Sequence, residues 1–354
     1  MRRRAATCLT AIAVVVACPS AQTQPTPQFR AGVTLVELEV TVVDGRGLPV
    51  AGLVKTDFSV FENASARPVV SAIEIGSVAS KPPVTDLPQP PQHQPEPQLM
   101  TIILDDAQIP SNARMAEQAR VLARTVIQSL GASDQAAVLF TRSTRQSADF
   151  TTNHAKLIET VNAFTPAQTA GGAPTAKSAT LYEIRAALNV LESVVRHVST
   201  ISGQRKAIFY VSTGVALPPQ NTPAFAEVIQ AMRRVFDVAQ TGNVMIYGLD
   251  PGGLGVSPAT RAESSTFNSG AAGGLRSRHE FLLMLAENTG GRSIVDRNNP
   301  EKAVKTLLAE HNHYYRVAYE SPLADSEPPR KIAVKVNRRG AAVRFRSVNT
   351  PWRP

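Results

Sequence analysis

Residues 99–131 read LMTIILDDAQIPSNARMAEQARVLARTVIQSLG. A short apolar run, LMTIIL, leads directly into two carboxylates, Asp105 and Asp106, and then a polar loop. In the helical pattern that follows, Met115, Ala119, Leu122, Val126 and Leu130 share one face, and Gly131 suits its C-terminal stop. A strand without alternation is covered on both faces, as in a parallel sheet between helices. Carboxylates at the end of such a strand are costly to bury unless something pairs with them.

The same unit recurs outward along the chain. DQAAVLFT and SADFTT read as strands, and HAKLIETVNAF as a short helix capped by Thr152 or Asn153. TLYEIRAALNVLESVVRHVSTI is a long helix, RKAIFYVSTG a strand, PAFAEVIQAMRRVFDVAQ a helix and NVMIYGLD a strand. A Ser/Ala/Gly-rich loop is expected over 256–274, followed by the helix HEFLLMLAENTGG, the strand RSIVD, the helix NPEKAVKTLLAEHN and the strand YYRVAYESP. This alternation predicts an α/β domain over 99–322: a mostly parallel, Rossmann-like sheet flanked by helices.

The flanks read differently. VTLVELEVTVVD alternates as a half-buried strand, Asp44-Gly45-Arg46-Gly47 is a turn, and DFSVFEN and PVVSAIEIG supply further strands. Residues 22–80 are therefore an N-terminal β-rich segment. KPPVTDLPQPPQHQPEPQ, residues 81–98, is a Pro/Gln-rich linker. Over 323–354, RKIAVKVNRRGAAVRFRSV alternates about Arg339-Gly340 as a β-hairpin. A hairpin cannot bury a face alone, so it is expected to pack on the N-terminal segment as a small β-sandwich-like unit.

The chain begins MRRRAATCLTAIAVVVACPSAQTQ, a positive region followed by an apolar core too short to span a bilayer. Residues 1–21 are read as a signal peptide cleaved near Ala21, which makes the protein periplasmic or secreted. Cys18 offers the alternative of a lipoprotein, the one route to membrane attachment. Both cysteines lie in this leader, so the mature part has no disulfide and no thiol chemistry. Of the formal charge of +9, the leader arginines contribute three, and the C-terminal tail holds much of the rest. That tail is read as an edge strand protected by charge. Zinc spacing and aromatic RNA-binding motifs are lacking, which argues against nucleic acid.

Several phrases, in order, resemble the von Willebrand factor A fold, and more narrowly an exported acidobacterial von Willebrand factor A-related family. They are VTLVELEVTVVDGRGLPVAGLVKTDFSVFEN, ATLYEIRAAL, NVMIYGLD, LAENTGG and YYRVAYESP. The resemblance implies a binding or scaffolding module and a metal-ion-dependent adhesion site at the carboxyl ends of the strands. That site uses Asp-x-Ser-x-Ser, a Thr and a further Asp, oxygen ligands suited to a hard cation. Here Asp105 matches the leading Asp, while Ala107 and Ile109 replace both serines. Thr180, with Thr175 as the alternative, matches the Thr, and Thr213 stands where the last Asp would be. The site is thus read as degenerate.

Asp106 and Ser111 lie in the same loop, so a weaker Mg²⁺ or Ca²⁺ site of Asp105, Asp106, Thr180 and Thr213 remains chemically reasonable. The expected role is non-enzymatic binding of a protein or cell-envelope polymer through Asp105, Asp106, Ser111, Thr180 and Thr213. A hydrolase built on Ser212 lacks a nominated base, and no Gly-x-Ser-x-Gly occurs. Asp250 ends a strand and is a further candidate for the cleft. His311 and His313 are expected at the surface.

Overall fold

The computed structural model describes residues 34–76, 97–166, 178–202, 204–253, 269–322 and 331–347. The leader with Cys18, most of the 81–98 linker and Thr175 lie outside the described residues.

The central sheet has six strands: β5 (Gln98–Leu104), β6 (Gln135–Phe140), β7 (Ala148–Thr151), β8 (Arg205–Val211), β9 (Val244–Leu249) and β10 (Ser293–Ile294). Their order is β10-β9-β8-β5-β6-β7, with β7 the antiparallel edge and the others parallel. The chain lays down β5, β6 and β7 in one direction, then crosses back to β8 on the other side of β5. That reversal between β5 and β8 is a topological switch point, where the following loops part and leave a crevice. The α/β class expected from the apolar runs is the one observed.

Among the described residues, six helices cover this sheet: α1 (Ala113–Ile127), α2 (His154–Asn162), α3 (Ser178–Ser199), α4 (Pro223–Thr241), α5 (Ser269–Glu287) and α6 (Pro300–Asn312). Met100, Ile102 and Leu104 of β5 face Leu122 and Val126 of α1 and Leu307 of α6. Leu99 and Ile103 point the other way, into a layer with Leu191, Met232 and Phe281. Strand alternation thus feeds two cores at once. Each large aliphatic side chain buried there stabilises the fold by about 1.5–3 kcal/mol. Helix α1 starts where Asn112 accepts a hydrogen bond from Met115 N at 2.8 Å.

The remaining strands form two antiparallel sheets. One has the order β13-β1-β11-β4, from β1 (Thr34–Val43), β4 (Val69–Ile75), β11 (Tyr314–Ser321) and β13 (Ala342–Ser347). The other is β12-β2-β3, from β2 (Phe58–Glu62), β3 (Ser65–Arg67) and β12 (Ile332–Val336). Val36, Leu38, Val40 and Val42 of β1 meet Phe58, Val60 and Val334 across a shared core. The chain leaves this unit through β4 and returns through β11, its antiparallel neighbour.

Three sequence expectations change. The strands about Arg339-Gly340 do not pair as a hairpin: β12 joins β2 and β13 joins β1, so the turn is a corner between two sheets. Helix α5 begins at Ser269, within the segment expected as loop. His311 and His313 are each only 2% exposed. They lie where α6 passes into β11, and partners from other strands enclose them. His311 reaches Tyr247 Oη at 2.9 Å and Gln98 Oε1 at 2.8 Å, while His313 reaches Glu74 Oε1 at 2.8 Å. Among the described residues, no helix is long and apolar enough to cross a membrane.

Candidate functional site

Asp105 follows the last residue of β5, at the switch point, and its amide donates to Val211 O of β8 at 3.0 Å. Its side chain is 0% exposed and Asp106 is 1% exposed. Burial of two adjacent carboxylates demands donors, and the neighbouring strands supply them. Asp105 Oδ2 accepts from Ser212 Oγ at 2.7 Å and from Tyr210 Oη. Asp105 Oδ1 accepts from Thr141 Oγ1 at 2.8 Å, Gln108 N at 3.2 Å and Ala107 N at 3.3 Å. Asp106 accepts from Arg142 N at 2.7 Å and Ser143 N at 3.0 Å, which clamps the loop after β6.

Thr141 Oγ1 also lies 2.8 Å from Asp106 Oδ1. A hydroxyl has one proton and can donate to only one of these carboxylates. The other contact is favourable only if that carboxyl itself carries a proton. Burial pushes the Asp105 carboxyl above the usual range, against the pull of the Tyr210, Ser212 and Thr141 hydrogen bonds. Thr141 Oγ1 is thus shared between the two carboxyls, Asp105 Oδ1 and Asp106 Oδ1. Tyr210 in turn is raised well above an ordinary phenol, first by burial and then by the Asp105 charge.

The loops above are pinned together. Thr213 Oγ1 donates to Gln108 O at 2.9 Å, tying the loop after β8 to the loop after β5. From α5, Arg278 Nη1 donates to Gly214 O at 2.7 Å. Gly214 has φ +73, and a Cβ there would lie 2.3 Å from Arg278 O, so glycine is required. His279 Nε2 lies 3.0 Å from Asp250 Oδ2, and this hydrogen bond raises the imidazole pKa against the opposing effect of burial.

Among the residues nominated from sequence, Asp105, Asp106 and Thr213 come together. Ser111 is exposed on the rim beside the Asn112 cap. Thr180 falls in the first turn of α3, with its side chain outside the described set. Asp250 stands at the same edge of the sheet but is occupied by His279 and by Gly252 N at 2.8 Å. Sequence reading missed Thr141 and Tyr210 as partners of the aspartates, and His279 as the partner of Asp250. Thr141 was marked only by its place directly after a strand of the sheet.

This arrangement does not suit a hard cation. The carboxylate oxygens are turned to hydroxyls and amides, Thr213 spends its proton on a backbone carbonyl, and Ala107 and Ile109 offer no side-chain oxygen. Among the described residues, no cluster of three His, Cys, Asp or Glu side chains is placed to hold a metal ion.

No protein-family model and no curated protein matches the sequence. Solved structures do show similarity. An aerotolerance-related membrane protein from Bacteroides fragilis is 14% identical, with 60% of this chain and 98% of that one covered at a TM-score of 0.35. Manganese-loaded Plasmodium vivax TRAP protein is 14% identical, covering 67% and 78% at 0.33. A von Willebrand factor type A protein from Catenulispora acidiphila is 11% identical, covering 92% and 75% at 0.34. The strand order, rather than these partial overlaps, defines the fold.

Proposed function

We propose that this chain is an exported, non-enzymatic binding module whose adhesion-type site has become a cation-free structural knot. Its partner is a protein or cell-envelope polymer, engaged by the loops at the carboxyl edge of the sheet. The observation that carries this reading is the internal saturation of Asp105 and Asp106 by Tyr210, Ser212, Thr141 and loop amides. Groups so occupied hold loops in place; they do not recruit a cation or a substrate. Ser212 is buried, and its proton is committed to Asp105, which argues against a nucleophile. The exported character and the closer kinship with acidobacterial von Willebrand factor A-related proteins rest on the leader and on the sequence phrases.

The test is a thermal melt in EDTA, then in millimolar Mg²⁺, Mn²⁺ and Ca²⁺. A cation at about 100 times its dissociation constant adds roughly 2.7 kcal/mol to a protein that binds it only when folded. The expected result is no shift. A shift abolished by Asp105→Ala would overturn the cation-free reading in favour of a divalent-dependent adhesion domain. The rim is tested by Ser111→Arg, which should reduce capture of envelope partners while leaving the melting temperature unchanged.

A further inference from the structure

At the opposite edge of the central sheet, the amino ends of β8 and β10 meet β1 and β13 around a cleft. It encloses about 50 Å³ of water-accessible space and is lined by Arg205, Arg292, Arg344, Glu39 and Glu310, among others. Arg205 Nε lies 3.3 Å from Glu39, Arg292 Nη1 lies 3.1 Å from Glu310, and Arg344 also pairs with Glu310. Three guanidiniums therefore share two carboxylates, and one positive charge has no counterpart among the lining residues.

Arg205 is 7% exposed, lies 4.0 Å over the Tyr314 ring and donates to His311 O at 2.5 Å. The buried Nε–H groups of Arg205 and Arg292 make no hydrogen bond with good geometry. Buried donors in that state are expensive, and a burial-lowered guanidinium pKa at Arg292 and Arg344 shows the same cost. Arg292 and Arg344 both pair with the Glu310 carboxylate, and the charge of Arg292 lowers Arg344 further.

We infer that this cleft is a binding site for one small oxyanion, a carboxylate or a phosphate, held on the guanidiniums of Arg292 and Arg344. Guanidinium forks match the paired oxygens of both groups. A water molecule needs roughly 10–15 Å³ of such space, so the cleft also has room for one beside Glu310. Because lining residues come from both the α/β unit and the β1 sheet, an anion here tightens the seam between them.

The experiment is a series of thermal melts of the full chain at fixed pH and ionic strength, with chloride replaced stepwise by inorganic phosphate or by acetate. The expected result is a saturable rise of a few degrees in the wild type that is absent in Arg292→Gln and Arg344→Gln. Without oxyanion, Arg344→Gln should melt no lower than the wild type, because it removes the surplus charge. Response to acetate alone would identify a carboxylate site, and response to phosphate alone a phosphate site. Equal rises in wild type and variants, reflecting general salt effects, would overturn the inference. So would variants destabilised equally in every buffer, as expected of ion pairs with a structural role only. Should the variants not fold, calorimetric titration of the wild type decides, and the absence of a saturable one-to-one isotherm with either anion refutes the site.

Discussion

Replacing Asp105 by Asn or by Ala separates a proton-bearing carboxyl from an ionised one. Ala removes the acceptor of Tyr210 and Ser212, both fully buried, while Thr141 keeps Asp106. A buried hydroxyl without a partner costs about 1–3 kcal/mol, so the pair costs about 2–6 kcal/mol. At roughly 2–4 °C per kcal/mol, the Ala variant should melt on the order of 10 °C lower. Asn is different: its oxygen still accepts from Tyr210 and Ser212, and its amide donates to Thr141 as a protonated carboxyl would. Only the two long contacts from Ala107 N and Gln108 N, at 3.3 and 3.2 Å, are lost, a cost of about 1 kcal/mol. Asp105 has a raised pKa in the folded state, so its contribution is complete below the unfolded carboxylate value of about 3.9 and is lost as pH rises through the folded value. The loss proceeds at no more than about 1.4 kcal/mol per pH unit. Denaturant unfolding from acid to mildly alkaline pH should therefore show Asp105→Asn closing on the wild type, or passing it, as pH increases. An Asn variant as damaged as Ala, or one that keeps the wild-type pH slope, would refute the shared proton.

Two other outcomes follow from the loops around the knot. The hydrogen bond to Asp250 raises the pKa of His279, so its stabilisation is present below the ordinary histidine value of about 6.5 and fades as pH rises through the folded value; His279→Gln should flatten that part of the stability–pH curve. Gly214→Ala forces a side chain into a positive-φ position against Arg278 O, and should cost at least about 1–3 kcal/mol in denaturant unfolding.

The α/β unit was legible because parallel strands buried on both faces, such as Arg205–Val211, read as apolar runs that helical patterns punctuate. Helix α5 was misplaced at its start because Gly270, Gly273 and Gly274 read as loop when neighbours are ignored. The corner at Arg339-Gly340 has the same local signature as a hairpin; only β1 and β2, far away in sequence, decide where each strand goes. That Ala107 and Ile109 offer no side-chain oxygen was visible from the loop itself. The donors that meet Asp105 were not, because Thr141, Tyr210 and Ser212 come from other parts of the sheet. His311 and His313 were misread for the same reason: nothing nearby in sequence announces Gln98, Tyr247 or Glu74.

The position of β1 between β11 and β13 also sets the order in which the molecule is completed. During synthesis β1 emerges long before β11 and β13, so Val40 must wait for Tyr315 on one side and Phe345 on the other. The segment from β5 to α6 makes its own sheet and helices without either, so it can condense while the early strands are still unmatched. Such distant pairings make the last stage of folding slow. Until β13 arrives, one border of β1 is an open template for any other extended chain. The apolar residues of that strand therefore expose a nascent or truncated copy to aggregation.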